Sequence, residues 1–351
     1  MPRVLIGPTK TNIHNNEYGK SYNLLNNLYD DNFTVDIYTR TVSGSLSPEN
    51  VTVHPLGGSN RISFYSKLYY RIFRELREGS VDIYHHMNLS YRWFNPILVS
   101  GLHDDVSVVV GPCQTGHAIM AEEFNRMLSF WVGRNLPRPL TDPFHTIVDA
   151  TRDVVLDPPR MDLFKRTLEA ADRIVVVDKE AYEMYADLVD ESKLRTIPLG
   201  VDPDVFEYSE PDDSHELVAI GSLRERKGYD ILFEALDQIQ QEYPEVHLHV
   251  FGDGPLEDEL IAQVKRLDLD ENVTFHGYVD QSIVREYLSR ARAFIHPSRS
   301  EGFSLVRLEA MSSGCPVVVT NVSGANEMVR DGEEGFVVPI ESPEPIADAV
   351  T

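Results

Sequence analysis

The chain has 351 residues, 42% of them hydrophobic and 25% charged. This is an ordinary globular composition, which excludes a disordered or fibrous polypeptide and is long enough for two domains with a core each. Its 32 Lys and Arg against 56 Asp and Glu leave a net charge of −24. Such a surface repels nucleic-acid phosphates and no Lys/Arg run offsets it, so no nucleic acid is expected as a partner. Only eight of the cations are Lys, a halophilic style of composition in which molar salt would screen self-repulsion within ~3 Å.

The opening MPRVLIGPTK enters a strand-like run at once, with no hydrophobic leader or cleavage site. No stretch approaches the ~18 consecutive apolar residues of a spanning helix. Strand-like runs follow at Val4–Ile6, Val35–Tyr38, Val81–Tyr84, Val106–Val110, Arg173–Val177, Leu217–Ile220, His247–Phe251, Val273–Phe275, Ala293–His296 and Pro316–Thr320. They are β-branched-rich and continuous rather than alternating, as strands of a parallel sheet are when both faces are buried. Helix-period segments such as Tyr229–Tyr243, Leu256–Leu267 and Gln281–Ala291 lie between them, so the class is α/β with parallel sheets. Cys113 and Cys315 could form one disulfide but imply no framework, which favours a reducing, cytoplasmic compartment.

Charge divides the chain unevenly. Residues 1–200 carry 21 cations and 25 acids, net −4, whereas residues 201–351 carry 11 and 31, net −20. The turn-rich stretch between Leu199 and Glu216, with Pro203 and Pro211, marks the join, so the expected domains are 1–200 and 201–351. Within the first, residues 61–77 (RISFYSKLYYRIFRELR) form a helix with two stripes. Lys67, Tyr70, Arg71, Arg74 and Arg77 lie on one side, and Phe64, Tyr65, Leu68, Tyr69, Ile72, Phe73 and Leu76 on the other. Packing on the first sheet explains it, with contact to an anionic lipid surface, as a peripheral membrane protein, the second reading.

The most informative segment is Pro297–Gly324, PSRSEGFSLVRLEAMSSGCPVVVTNVSG. A strand ends at Ile295–His296, a glycine-containing loop follows, and a helix opens near Phe303–Leu305. Free backbone N–H groups at such a helix start favour an anion, usually a phosphate. Glu301 in the loop and Glu309 down the helix can then accept hydrogen bonds from hydroxyls flanking that phosphate.

Glu301 and Glu309, eight apart, with the following EAMSSGCPVVVT, resemble the E-x7-E signature of retaining glycosyltransferases of family 4. Ile197–Asp202 (IPLGVD), Val218–Gly228 (VAIGSLRERKG), His249–Pro255 (HVFGDGP), Phe275–Val279 (FHGYV) and Asn326–Gly335 (NEMVRDGEEG) are similar to further motifs of that family, in its order. The resemblance covers 197–340 and is thin over 1–196, where it rests on the opening strand, a Gly19 turn before a helix and the α/β rhythm. It implies a GT-B fold, two Rossmann-like domains facing a cleft, with the acceptor on the first and a nucleotide diphosphate sugar on the second.

By the same resemblance Glu301 would contact donor-sugar hydroxyls and Glu309 the ribose. The backbone of Phe303, Ser304 and Leu305 would meet the diphosphate, Lys227 would neutralise it as it leaves, and main-chain groups at Gly277, Tyr278 and Val279 would hold the base. Gly221 opens the loop that carries Lys227. The family's Arg after that glycine is Ser222 here; Arg224 or Arg226 would substitute, with Arg226 preferred. Many relatives carry a first-domain His near the donor sugar. His85, His86 and His117 are candidates by position at strand ends, His117 being preferred. The last residues, Ser342–Thr351, read as a late helix that the family usually continues.

The expected activity is transfer of a hexose-type sugar, with retention, to a glycan or lipid-linked acceptor. A sugar-nucleotide epimerase of the same fold and a non-catalytic sugar-nucleotide-binding subunit are the rival readings. Asp202-Pro203-Asp204 has D-x-D form but reads as turn acids, and no His/Cys cluster has metal spacing. No metal or cofactor is expected.

Overall fold

The computed structural model describes residues 1–7, 12–14, 32–43, 50–58, 61–86, 105–113, 164–209 and 215–351. Among these the chain divides into two compact units, the first ending at Pro198 and the second running Leu199–Thr351.

The first unit contains β1 (Arg3–Ile6), β2 (Asn12–His14), β3 (Thr34–Thr39), β4 (Thr41–Ser43), β5 (Val51–Pro55), α1 (Arg61–Arg77), β6 (Ile83–His86), β7 (Ser107–Cys113), β8 (Arg173–Val176), α2 (Lys179–Ala186) and β9 (Leu194–Thr196). A seven-stranded sheet runs β5-β3-β1-β6-β7-β8-β9, with every pair parallel, while β2 and β4 pair separately. The unbroken apolar runs have the cause the sequence suggests. Val4, Leu5 and Ile6 are all fully buried, Leu5 in the core beneath α1, and Val4 and Ile6 in a second core with Val35 and Ile37. The strands absent from the sequence reading are marginal ones. β5 and β9 lie at the sheet edges, where fewer faces are covered, so their residues are only partly apolar.

In α1, Phe64, Leu68, Ile72 and Leu76 are at most 1% exposed. Their four-residue spacing makes one continuous buried ridge. Arg71 is held by Tyr38 Oη at 3.1 Å and Glu75 Oε1 at 3.3 Å, and Arg74 pairs with Glu78 at 3.1 Å. The apolar stripe is therefore committed to the core and two of the cations already have carboxylate partners. Phe73, which the two-stripe reading put with the apolar set, faces outward with Lys67, Tyr70, Arg74 and Arg77.

The second unit contains β10 (Glu216–Ile220), α3 (Tyr229–Glu242), β11 (His247–Phe251), α4 (Glu257–Arg266), β12 (Val273–Gly277), α5 (Gln281–Leu288), β13 (Ala293–His296), α6 (Leu305–Ser312), β14 (Val317–Thr320), α7 (Ala325–Met328), β15 (Gly335–Val338) and α8 (Pro343–Val350). Its six strands are all parallel in the order β12-β11-β10-β13-β14-β15. Leu217, Leu248, Val250 and Ile295 pack under α3 on one face, and Val218, Phe251, Phe294 and Val319 with Ala310 of α6 on the other. Two helix-covered faces and a strand order that reverses between β10 and β13 make this a Rossmann-like sheet. Ligands of such sheets gather at the carboxyl ends of the strands flanking the reversal.

Asp204 N donates to Asp202 Oδ1 at 3.0 Å, an Asx turn of the kind expected for that segment. Cys113 and Cys315 are both free and buried, and burial pushes each thiol up to about 12. Among the described residues no helix is long and apolar enough to cross a membrane.

Candidate active site

The loops leaving β10 and β13 lie side by side and are tied together. Arg299 N donates to Arg226 O at 2.8 Å. The Arg299 guanidinium makes two 2.7 Å bonds to the Asp230 carboxylate and one to Glu341. Gly228 takes φ +66°, and a Cβ there would lie 2.1 Å from Pro297 O. Only glycine permits both the left-handed conformation and so close an approach. Gly221 closes β10, and its bare Cα faces the Lys227 stem: a Cβ would meet Cε at 3.3 Å.

Between the loops sits a buried polar cluster. The Lys227 ammonium is ion-paired with Glu301 Oε1. The same oxygen accepts from Ser298 Oγ at 3.1 Å and from Arg226 Nη1 at 3.3 Å. His296 Nε2, at the end of β13, lies 3.4 Å from Lys227 Nζ, 3.2 Å from Ser298 Oγ and 3.5 Å from Glu301 Oε1. Burial opposes ionisation of Glu301, but the bonds from His296 and Lys227 and the Lys227 charge outweigh it and hold the carboxyl well below its usual range. Burial takes His296 the other way, to about 4, so its imidazole is neutral. Arg226 is thus the loop arginine that reaches the cluster, whereas Arg224 is exposed at the head of the turn.

Glu301 is followed by Phe303 and Ser304, both buried, and Leu305 opens α6. Ser304 is the N-cap, yet its hydroxyl makes no capping bond, and the first turn holds no acid. The leading amides of α6 therefore keep their capacity for an anion. One turn on, Arg307 is fully buried and donates to Ser323 O at 3.0 Å. Glu309 is 9% exposed, and its Oε1 accepts from Gln281 Nε2 of α5 at 3.2 Å. Burial pushes its carboxyl up to about 7. At the end of β12, Gly277 takes φ +67° and its carbonyl accepts from Gly252 N at 2.8 Å. Tyr278 is 72% exposed, while Val279 packs against the core.

Four contributors were not singled out from sequence: His296, Ser298, Arg307 and Gln281. A polar residue at the carboxyl end of an otherwise apolar strand was the available signal for His296. Nothing local marks the others, since their partners are distant in sequence. In the first unit His85 Nε2 donates to Gly111 O at 3.0 Å and His86 Nδ1 lies 3.0 Å from Tyr84 Oη. Both are buried, with structural hydrogen bonds. Gly19 and His117 lie outside the described residues.

The family model described as Glycosyltransferase Family 4 matches residues 21–205, and that described as Glycosyl transferases group 1 matches residues 201–351. D-inositol 3-phosphate glycosyltransferase of Kribbella flavida is 28% identical over 239 residues, 60% of this chain and 56% of its own length. Phosphatidyl-myo-inositol mannosyltransferase of Mycobacterium tuberculosis is 32% identical over 155 residues, 42% of this chain and 40% of its own. Matches to the curated relatives thus span little more than half of their lengths at most. Among solved structures, Anabaena HepE in complex with UDP has a TM-score of 0.68 at 16% identity, covering 100% of this chain and 89% of its own. Sucrose-phosphate synthase from Thermosynechococcus elongatus has a TM-score of 0.64 at 20% identity, covering 99% and 88%. These likenesses establish the fold as the pair of Rossmann-like, parallel-sheet domains of GT-B proteins. One family model covers more than half of the chain and the other continues from residue 201 to residue 351, so the chain belongs to glycosyltransferase family 4.

Proposed function

We propose that the protein is a retaining glycosyltransferase that moves a hexose-type sugar from a nucleotide diphosphate to a glycan or lipid-linked acceptor. The observation that carries this reading is the Lys227–Arg226–Glu301 cluster beside the uncapped start of α6, at the strand-order reversal of a Rossmann-like sheet. Breaking a sugar–diphosphate bond builds negative charge on the leaving group and positive character on the sugar. Cations and amides preorganised where that charge develops lower the barrier. The donor diphosphate takes Lys227 and Arg226 from Glu301 and meets the amides of Phe303, Ser304 and Leu305. Glu301 is thereby released to accept from sugar hydroxyls. Glu309 accepts from the ribose, and the backbone of Gly277, Tyr278 and Val279 borders the base. Gly221 leaves room for the Lys227 stem, and Arg224 stays in reserve at the loop surface. Gly19 is assigned to donor binding and His117 to catalysis beside the donor sugar, as the resemblance implies.

The relatives support both substrates: HepE was crystallised with UDP and with UDP-glucose, and the mannosyltransferase is named for a phosphatidylinositol acceptor. No divalent ion is assigned. Among the described residues no group of three His, Cys, Asp or Glu suits a metal, and Lys227 with Arg226 supplies the positive charge. A cytoplasmic site of action completes the reading.

A panel of sugar nucleotides tests the function. One of them should yield free nucleoside diphosphate and a glycosylated acceptor, at a rate that a chelator leaves unchanged. Epimerised donor, or binding without turnover, would favour the rival readings. Lys227→Ala leaves the buried Glu301 without its ammonium and should be less stable yet folded, and it should lose on the order of 10²–10³ in turnover, as loss of one preorganised charge-stabilising group does; turnover within a few-fold of wild type removes Lys227 from the mechanism.

Glu309 gives a pH signature. Its folded pKa of about 7 lies above the ordinary 4.5, so the unfolded chain releases that proton first and stability falls as pH rises between those values. Glu309→Gln should melt above wild type at pH 8 and match it near pH 4.5. It should also bind nucleoside diphosphate at least tenfold more weakly at pH 8, since a hydrogen bond to a charged group is worth ~1.5–3 kcal/mol. Calorimetry and thermal melts across that range check both signs.

The membrane part of the proposal rests on the outward face of α1, Lys67, Tyr70, Phe73 and Arg77. At ~1 kcal/mol per cation near an anionic leaflet, binding to anionic vesicles at low salt should be reversible and lost in Lys67→Gln/Arg77→Gln. Equal sedimentation of the two proteins would leave α1 as a packing element alone.

A further inference from the structure

Gln281 is the first residue of α5, two positions after the Gly277–Val279 segment. It is the polar partner that the structure gives to the Glu309 carboxyl, through the 3.2 Å bond from Nε2 to Oε1. The other end of the amide is less well served. Gln281 Oε1 is buried and has no hydrogen-bond partner. An orphaned buried acceptor is costly, and an apolar side chain of similar size would avoid it. Holding the amide in this place at that cost points to a task for its N–H.

The surroundings show what the task is. Glu309 is nearly enclosed, and a carboxylate taken out of water reverts to the neutral acid unless something bonds to its charged form. The titratable groups on the packed elements face other partners or solvent. On α6 itself Arg307 donates to Ser323 O. From β13, His296 is turned to Ser298 and Lys227. On α5, Arg285 donates to Val205 O at 2.8 Å. In the loop before α5, the Tyr278 ring is exposed.

We propose that Gln281 is a positioning residue that keeps Glu309 ionised and aimed, so that it can accept hydrogen bonds from the ribose hydroxyls of a nucleotide. The inference rests on the donor-binding role of Glu309 given above. A neutral Glu309 carries its own proton and accepts less strongly, so donor affinity falls as the carboxyl is protonated. The opposing effects of burial and of the Gln281 bond set the carboxyl near 7, inside the range where small changes in the partner alter its state.

The test reads Glu309 directly. Carboxyl carbon NMR on glutamate-labelled protein, with Glu309→Gln to assign the resonance, gives its titration midpoint without any ligand. Gln281→Met removes the donor at nearly constant volume and should raise the midpoint by about one pH unit, tenfold in the ionisation constant. Gln281→Lys substitutes a charged donor and should lower it. In parallel, binding of UDP, GDP and ADP is measured at pH 6.5 and 8.5. For the diphosphate that binds, Gln281→Met should lose about sixfold more affinity at pH 6.5 than at pH 8.5, while binding of inorganic pyrophosphate follows wild type.

A residue that merely filled space would move both midpoints little or in one direction. An unchanged midpoint in Gln281→Met, or a shift of the same sign in both variants, overturns the inference. Residue 281 begins a helix on a partly exposed face, and thermal melts confirm that each variant is folded; should one fail, the other still has a required sign. Failure of the wild type to bind any of the three diphosphates overturns the proposed donor role of Glu309 instead, and the titration midpoints then decide separately whether Gln281 holds the carboxyl ionised.

Discussion

A buried ammonium beside a buried carboxylate is the constraint around which the second unit is arranged. Lys227 and Glu301 are both largely removed from water, and desolvating each ion costs several kcal/mol before their attraction returns any of it. Such a pair persists only when the remaining donors and acceptors are met, which is what Ser298, His296 and Arg226 do. An apolar pair of the same volume would be as stable or more so. The cluster makes best sense as a preformed set of charges awaiting a stronger anion for the cations and a hydroxyl for the carboxylate.

That constraint extends into the backbone. The two loops carrying the pair can meet only because Gly228 lies against Pro297 O without a Cβ, and they stay together through the Arg299 bonds to Asp230 and Glu341. The sheet supplies the location: the strand order reverses between β10 and β13, and the helices on either side diverge there. The first unit reverses in the same way between β1 and β6. At its strand ends the groups are mutually satisfied: Tyr84 Oη donates to Gly7 O at 2.9 Å, and His85 to Gly111 O. Among the described residues, the first unit's strand ends at this reversal carry neutral hydrogen-bonded groups and the second unit's carry charged ones.

The charge distribution sharpens the contrast. Residues 201–351 have a net charge of −20, yet five of their 11 cations, Arg224, Arg226, Lys227, Arg299 and Arg307, lie in the loops and helix start at this junction. Net charge governs solubility and long-range repulsion, while a ligand at close range meets the local field. Burial protects that field from salt, since enclosed pairs are screened far less than exposed ones.

The sequence alone determined the class and rhythm of the fold, because strands buried on both faces must be continuously apolar and these are, from Val4–Ile6 to Val317–Thr320. It also placed Glu301, Glu309 and Lys227 on the loop, helix and turn where they stand, because a strand, a glycine turn and a helix start are local events with local signals. It left the edge strands β5, β9 and β15 unread, since partial burial weakens the apolar pattern. The partners were decided by tertiary structure only. Arg226 rather than Arg224 meets Glu301, His296 and Ser298 support it, and Gln281 reaches Glu309 across 28 residues of chain. Hydrogen-bond geometry between side chains depends on how strands stack into a sheet, and no spacing along one segment encodes that.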